Sequence, residues 1–207
     1  MIVQPPTEAP LNRLPEIALR FSKPVFGANN KANYKLTGDG VGSLRLEKII
    51  KGQTEDYVLV FSGAAAHGDV RLNIGQILDA AGNSPETTSV QYRIDLKPVG
   101  VQARPPNKSK LESLREIELK FSEEATGAEE PGNYSIAGEN AESLAISTAE
   151  NRGKNTYVLR LSGEGAGPIQ ILLKNIKDLA GNDLKNNRLD YILEIPTASQ
   201  PCGDIVR

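Results

Sequence analysis

Hydrophobic and polar residues alternate along most of this chain, with the two-residue period of strands that bury one face. Between residues 16 and 22, for example, Ile17, Leu19 and Phe21 fall on one side and polar residues on the other. The first half contains six such segments, and the inward positions after this one are Tyr34, Leu36, Leu44, Leu46, Tyr57, Leu59, Phe61, Val70, Leu72, Ile74, Val90, Tyr92 and Ile94. The pattern predicts six short strands in each half of the chain, and the segment around Val3, or around Val101 in the second half, can supply a seventh.

The second half of the chain repeats the first at a shift of 100 residues. LNRLPEIALRFS (11–22) aligns with LESLREIELKFS (111–122), and YVLVFSG (57–63) aligns with YVLRLSG (157–163). After a one-residue deletion, ILDAAGN (77–83) falls on IKDLAGN (176–182). A register kept over so long a stretch indicates a duplication, so the same strands are expected in both copies.

Each copy is long enough to bury a core of its own, unlike the shorter repeats of solenoids and propellers. We therefore expect an all-β fold of two tandem antiparallel β-sandwiches, similar to immunoglobulin or fibronectin III domains. The predicted ranges are domain 1 at residues 1–98, domain 2 at residues 99–198 and a C-terminal tail at residues 199–207. The boundary falls in the proline-containing segment Lys97–Lys110, which predicts a short, stiff connection.

One motif, Asp-x-x-Gly-Asn, precedes the last strand of both copies, at Asp79, Gly82 and Asn83 and again at Asp178, Gly181 and Asn182. Asp can cap a turn, and Gly and Asn tolerate positive φ, so we expect a single helical turn that sets the register of the last strand. A calcium site is the alternative, using Asp79, or Asp178 with Asp183. Two or three oxygen ligands are few for an ion that takes six to eight, so no metal or other cofactor is assigned.

Residues that could carry catalysis are scarce. His67, the one histidine, lies in a Gly/Ala-rich loop without a counterpart in the second copy, and we interpret it as an exposed turn residue. Cys202, the one cysteine, follows the last predicted strand, either as a free thiol on the tail or as a site of interchain pairing or attachment. No nucleophile elbow, zinc-ligand set, phosphate loop or dinucleotide motif is present. We expect a protein that is not an enzyme.

Composition narrows the choice of partner. The formal net charge of −2 gives no basic surface for nucleic acid, and no apolar run is long enough for membrane insertion. The chain has no tryptophan and few aromatic residues, which disfavours a stacking platform for sugars. A protein partner or self-assembly, through loops or strand edges, is the expected mode of binding.

Together, these motifs resemble a known family. The order of Ile-x-Leu-x-Phe-Ser, Asn-Tyr, Tyr-x-Leu and Asp-x-Ala-Gly-Asn is similar to the bacterial Ig-like repeats of S-layer and other cell-surface proteins. In that family a strand typically ends in Phe-Ser-Glu/Lys-Pro-Val, which Phe21–Val25 (FSKPV) matches closely, whereas the second copy has EEAT at residues 123–126 and lacks the proline.

The resemblance implies a non-catalytic structural or interaction module, extracellular or on the bacterial cell surface, that serves as a spacer, in adhesion or in surface-layer or filament assembly. The alternative is an accessory domain that binds a glycan or a host protein for a larger extracellular enzyme.

Overall fold

The computed structural model describes residues 1–139 and 141–194, and in this part of the chain it is all-β. Strands in antiparallel sheets are joined by loops and short 3-10 turns, which confirms the predicted fold class. The described chain divides into two compact units, Met1–Lys97 with Leu179–Asn182, and Pro98–Asp178 with residues 183–194. The three predicted domain and tail ranges stay predictions, and Cys202 with the tail lies outside the described residues.

The first unit is built on two sheets and a short ladder. Its strands are β1 (Ile2–Gln4), β2 (Glu16–Arg20), β3 (Val25–Phe26), β4 (Tyr34–Thr37), β5 (Arg45–Lys51), β6 (Asp56–Ser62), β7 (Gly68–Ile74), β8 (Leu78–Asp79) and β9 (Ser89–Ile94). One sheet has the order β1-β2-β6-β5 and the other has the order β4-β7-β9, with antiparallel neighbours throughout. The ladder pairs β3 with β8, far apart in sequence.

The second unit repeats this plan with one addition. Its strands are β10 (Val101–Arg104), β11 (Lys110–Leu111), β12 (Glu116–Phe121), β13 (Ala125–Thr126), β14 (Tyr134–Ala137), β15 (Ala145–Gly153), β16 (Thr156–Ser162), β17 (Gly167–Leu173), β18 (Lys177–Asp178) and β19 (Arg188–Leu193). The sheets have the orders β10-β12-β16-β15 and β11-β19-β17-β14, and β13 pairs with β18. The addition is β11, which runs parallel to β19.

The interpretation of Lys97–Lys110 as a connection is wrong for most of that segment. Val99 is fully buried in the second core, and β10 and β11 belong to the two sheets of the second unit. The prolines flank these strands and do not interrupt them, because Pro98 precedes β10 and the Pro105–Pro106 pair follows it. The alternation of apolar residues at Val99, Val101 and Ala103 indicates the strand in this segment better than the proline content does.

Each core lies between the inner faces of its own two sheets. Ile17 and Leu59 in the first unit, and Ile117 and Leu159 in the second, have essentially no exposed surface. A Phe and a Tyr from neighbouring strands meet edge to face in both, with ring centroids 5.7 Å apart for the Phe21–Tyr57 pair and 5.5 Å apart for its counterpart. The inward positions predicted from the alternation thus form two matched cores.

All six tyrosines are buried, as the repeat-matched positions predict, and most of their hydroxyl groups are hydrogen-bonded. Tyr34 Oη donates to the carbonyl of Ala28 at 2.8 Å, and Tyr134 Oη donates to the carbonyl of Ala128 at 2.7 Å. Burial raises the pKa of the Tyr34 and Tyr134 hydroxyls and that of Tyr191, the last to about 12. These rings therefore stay neutral and serve the core.

The turn after β6 needs glycine in both copies. Gly63 and Gly163 have φ of +86° and +85°, and a Cβ at either position would collide with the carbonyl oxygen of Ser43 or Ser143. The close approach of two main-chain segments therefore explains why this glycine appears in both repeats.

Replacing Ile17 with Ala is expected to lower the free energy of unfolding of the first unit by about 2–5 kcal/mol, because a fully buried side chain is lost and a cavity remains. Ile50→Ala is the matched control: this side chain is 46% exposed, so the expected loss is below about 1 kcal/mol. Denaturant unfolding followed by circular dichroism measures both. Equal losses in the two variants would contradict the assignment of the core.

Candidate functional site

In the first unit, the carboxylate of Asp79 accepts several hydrogen bonds from the turn that follows β8. Asp79 is buried at the end of β8, and its Oδ1 accepts hydrogen bonds from the main-chain N–H of Ala81 and of Asn83, both at 2.9 Å. The carbonyl of Asn83 in turn accepts from Asp79 N–H at 2.9 Å, and Gly82 has φ of +83°. The carboxylate thus organises the turn that leads towards β9.

A lysine supplies the charge opposite this carboxylate. Lys23 Nζ lies 2.9 Å from Asp79 Oδ2, and the lysine head group remains largely exposed while the aspartate is buried. The hydrogen bond from Lys23, followed by those from Asn83, holds the pKa of the Asp79 carboxyl well below its usual range. The carboxylate is therefore charged and satisfied at neutral pH, and both of its oxygens are engaged by protein donors.

The single helical turn predicted at the Asp-x-x-Gly-Asn motif is wrong for the first copy. Leu78 and Asp79 form β8, which pairs with Phe26 and Val25 of β3, and the chain turns only at residues 80–82. The motif bonds are local, but the partner strand comes from more than fifty residues away in sequence. A pattern read over a few residues shows the turn and misses the ladder.

The second copy carries the same motif in different electrostatic surroundings. Asp178 is buried at the end of β18, and Gly181 has φ of +92°. At the position of Lys23, however, the second copy has Glu123. A lysine is present elsewhere in this turn, since Lys177 Nζ lies 2.9 Å from Asp183 Oδ1. Asn182 falls in the segment Leu179–Asn182, which groups with the first unit.

Two of the three predicted calcium ligands, Asp79 and Asp183, already have protein partners. The oxygens of Asp79 already accept from Lys23 and from the turn, and Asp183 is an exposed side chain paired with Lys177. In residues 1–139 and 141–194, no group of three or more acidic, histidine or cysteine side chains is arranged to hold a metal ion. Whether Asp79, Asp178 or Asp183 binds calcium stays a prediction from sequence.

His67 is exposed, as the sequence predicts, and it contacts the residues that follow β9. Its Nδ1 accepts from the main-chain N–H of Leu96 at 3.4 Å and lies 3.4 Å from Asp95 Oδ1. The sequence placed His67 correctly in a loop but gave no sign of these contacts. They connect the loop after β6 to the residues that follow β9.

Phe26 and Leu78 form an exposed apolar pair that sequence reasoning missed. They are directly opposite each other in the β3–β8 ladder and are 68% and 39% exposed. The corresponding pair in the second unit is Thr126 and Lys177, which is polar. Comparing the two repeats position by position could have revealed this difference, although not that the two residues face each other.

The edge strands β5 and β15 of the two larger sheets are both protected against pairing with another strand. Strand β5 has a register shift between Leu46 and Lys48, and its exposed positions are mostly charged. Strand β15 has two such shifts, and its Glu150 pairs with Arg160 and Arg152. Irregularities and charges of this kind discourage pairing with another sheet, so β5 and β15 are poor docking edges.

Comparisons with known proteins give structural likenesses only. No protein-family model and no curated protein sequence matches the chain. Among solved structures, the N-terminal part of the bacterial S-layer protein SbsC is 18% identical with a TM-score of 0.37, and the likeness covers 49% of this chain and 24% of that one. In the described residues, no helix is long and apolar enough to cross a membrane.

Two further structures match over more of the chain. The Escherichia coli adhesin FdeC is 14% identical with a TM-score of 0.35, and the match covers 93% of this chain and 62% of that one. Yersinia pseudotuberculosis InvD is 14% identical with a TM-score of 0.34, with coverages of 96% and 59%. The chain spans less than two thirds of the length of each of these three structures.

Asp79→Asn is expected to destabilise the first unit at pH 7, and the deficit should shrink in acid. The depressed pKa means that the folded state keeps the carboxylate charged at a pH where the unfolded chain, with a pKa of about 3.9, binds a proton. The stabilisation is thus present above about pH 4 and is lost as the pH falls through the folded-state pKa.

Denaturant unfolding at pH 7 and at pH 2 measures this effect, with the exposed Asp183→Asn as the control. A deficit of the same size at both pH values would show that the charge of Asp79 contributes nothing.

Proposed function

We propose that this chain is a non-catalytic structural and interaction module of a bacterial secreted or cell-surface protein. The observation that carries the proposal is that reactive side chains serve the fold, whereas an apolar pair is exposed on the surface. Groups that could do chemistry are engaged in building the fold: the tyrosines in the cores and Asp79 in its turn. What the surface offers is the apolar pair Phe26 and Leu78, a feature of surfaces that contact proteins.

Two sandwiches of one design also suit a spacer. Each unit has its own core and its own matched Phe–Tyr contact, so the design can be repeated along a chain without new packing solutions. Repeating such a unit displays loops and edges while the scaffold stays the same. The sequence resemblance to bacterial Ig-like surface repeats supports the same role and an extracellular location.

The divergence between the copies supports interaction in addition to spacing. A pure spacer has no need for an exposed Phe26–Leu78 pair where its second copy has Thr126 and Lys177. Apolar side chains at that exposure are usual where a partner covers them. Self-assembly or another protein is therefore the class of partner we propose, and nucleic acid is disfavoured by the slight negative charge.

Antibodies raised against the purified chain are expected to label intact cells of the source bacterium, and external protease should remove the labelling. An antibody to a cytoplasmic protein serves as the control and should label only permeabilised cells. Labelling of this chain only after permeabilisation would contradict the surface role. Saturable binding on a glycan array would instead favour the accessory ligand-binding role.

A further inference from the structure

The outer edge of β9 is open in the first unit. Ile74 N–H donates to the carbonyl of Thr88 at 2.8 Å, which fixes the alternation of the β7–β9 pair. By that alternation the main-chain groups of Val90 and Tyr92 face β7, and those of Ser89, Gln91 and Arg93 face away from it. These outward N–H and C=O groups are the ones that another strand would pair with.

In the second unit the equivalent edge is closed by the chain itself. Lys108 N–H donates to the carbonyl of Asp190 at 2.7 Å, and Ile192 N–H donates to the carbonyl of Ser109 at 3.0 Å. The side chain of Asn107 accepts from Asp190 N–H at 2.7 Å. Residues 107–111 thus run parallel to β19 and occupy its outward groups.

The first unit lacks this cover. The repeat places Thr7–Pro10 where the second unit has Asn107–Lys110, and only the next residue pairs: Leu11 N–H donates to Arg93 O, and its carbonyl accepts from Asp95 N–H, both at 2.9 Å. Within the described part of the chain, no hydrogen bond reaches the main-chain N–H or C=O of Gln91 on this side.

The residues of the lead-in, the segment before Leu11 (residues 5–10), explain why the edge of β9 is not covered. Thr7 has no carboxamide to accept from the strand as Asn107 does. Ser109 closes its turn by donating both N–H and Oγ to the carbonyl of Pro106, and its counterpart, Ala9, has no hydroxyl. Pro10 further restricts Ala9 to extended conformations. The first unit therefore lacks the side chains that hold the covering turn of the second.

A groove lies where the cover is missing. It has a volume of about 560 Å³, with Val3, Pro6 and Glu8 on one side and Ser89 and Gln91 on the other. Its position next to the outward groups of β9 gives an incoming main chain both apolar contact and hydrogen-bond partners.

A second observation is that this end of the first unit lacks a hydrogen bond that the second unit makes. Tyr92 Oη is buried and has no hydrogen-bond partner among the described residues. Its counterpart, Tyr191 Oη, donates to the carbonyl of Pro105 at 2.9 Å. Pro5 holds the position of Pro105 by the repeat, so the lead-in of the first unit leaves a buried hydroxyl unpaired as well as a strand edge.

We propose that the open edge of β9 is a docking groove for an extended segment of another protein, which pairs in parallel with β9. The segment supplies an N–H for the Gln91 carbonyl and a carbonyl for the Arg93 N–H, and a carboxamide side chain accepts from Gln91 N–H. Glu8 beside the groove favours a positively charged segment. The segment that covers the equivalent edge in the second unit likewise contains two lysines, Lys108 and Lys110. This deepens the proposed function by naming the kind of partner.

The parallel direction excludes the simplest self-association. Two copies that met through the same strand about a two-fold axis would pair β9 with β9 antiparallel. In both units the leucine at this position, Leu11 or Leu111, pairs in parallel with the strand. In the second unit, residues 107–110 continue that parallel pairing. A segment that takes their place in the first unit therefore also runs parallel to β9. The occupant is therefore a different segment, not a second β9.

The test uses the peptide NKSK, the sequence of residues 107–110, blocked at both ends and titrated into the ¹⁵N-labelled full chain. We expect saturable shifts of the Gln91 and Arg93 amide signals and a hydrogen-exchange rate at both that falls by about tenfold or more. Asp190 and Ile192, whose edge is closed, should not respond. The control peptide AKSK lacks the carboxamide and should bind more weakly.

The matched variant carries Thr7→Asn, Glu8→Lys, Ala9→Ser and Pro10→Lys, which copies a sequence that already covers β19. It should protect the Gln91 and Arg93 amides without peptide and abolish the titration. Absence of shifts at those amides in the unaltered chain would overturn the proposal. So would shifts that depend on protein concentration alone, which would assign the edge to a second copy. Cell-surface labelling is unaffected by either result, so the two proposals fail separately.

Discussion

Everything in this molecule depends on burying the inner faces of two small sheets against each other within about 100 residues. The described residues contain no cysteine that could form a disulfide, and the strict alternation of large apolar side chains provides the packing. The edge-to-face contact of Phe21 with Tyr57, reproduced by Phe121 with Tyr157, belongs to the core of each unit. Loops and edges can diverge between copies only because this contact set is kept.

The sequence was sufficient for the fold because strand burial is a local, two-residue signal. Ile17, Leu59 and Tyr92 were predicted to face inward from their neighbours alone, and all are buried. Features that depend on partners distant in sequence were missed. The β3–β8 ladder and the Lys23–Asp79 ion pair join residues more than fifty positions apart, and the motif was therefore misread as a helical turn.

For the candidate surfaces, the informative signal was the difference between the copies, not either copy alone. The repeat aligns Phe26 with Thr126 and Pro10 with Lys110, but the sequence alone does not distinguish these differences from ordinary variation between copies. Only the structure shows that Phe26 lies opposite Leu78 with both side chains exposed to solvent, and that the residues before Leu11 leave the edge of β9 uncovered. Duplication followed by divergence thus preserves the scaffold and changes its contacts.

The central claim is that each unit closes a sandwich around its own inward side chains. Nuclear Overhauser effects in the full chain, with labelled methyl groups and aromatic rings, test it most directly. The account expects contacts between Phe21 and Tyr57 and between Phe121 and Tyr157. Contacts of Tyr57 with Phe121, or of Phe21 with Tyr157, would show a shared or exchanged core and contradict it.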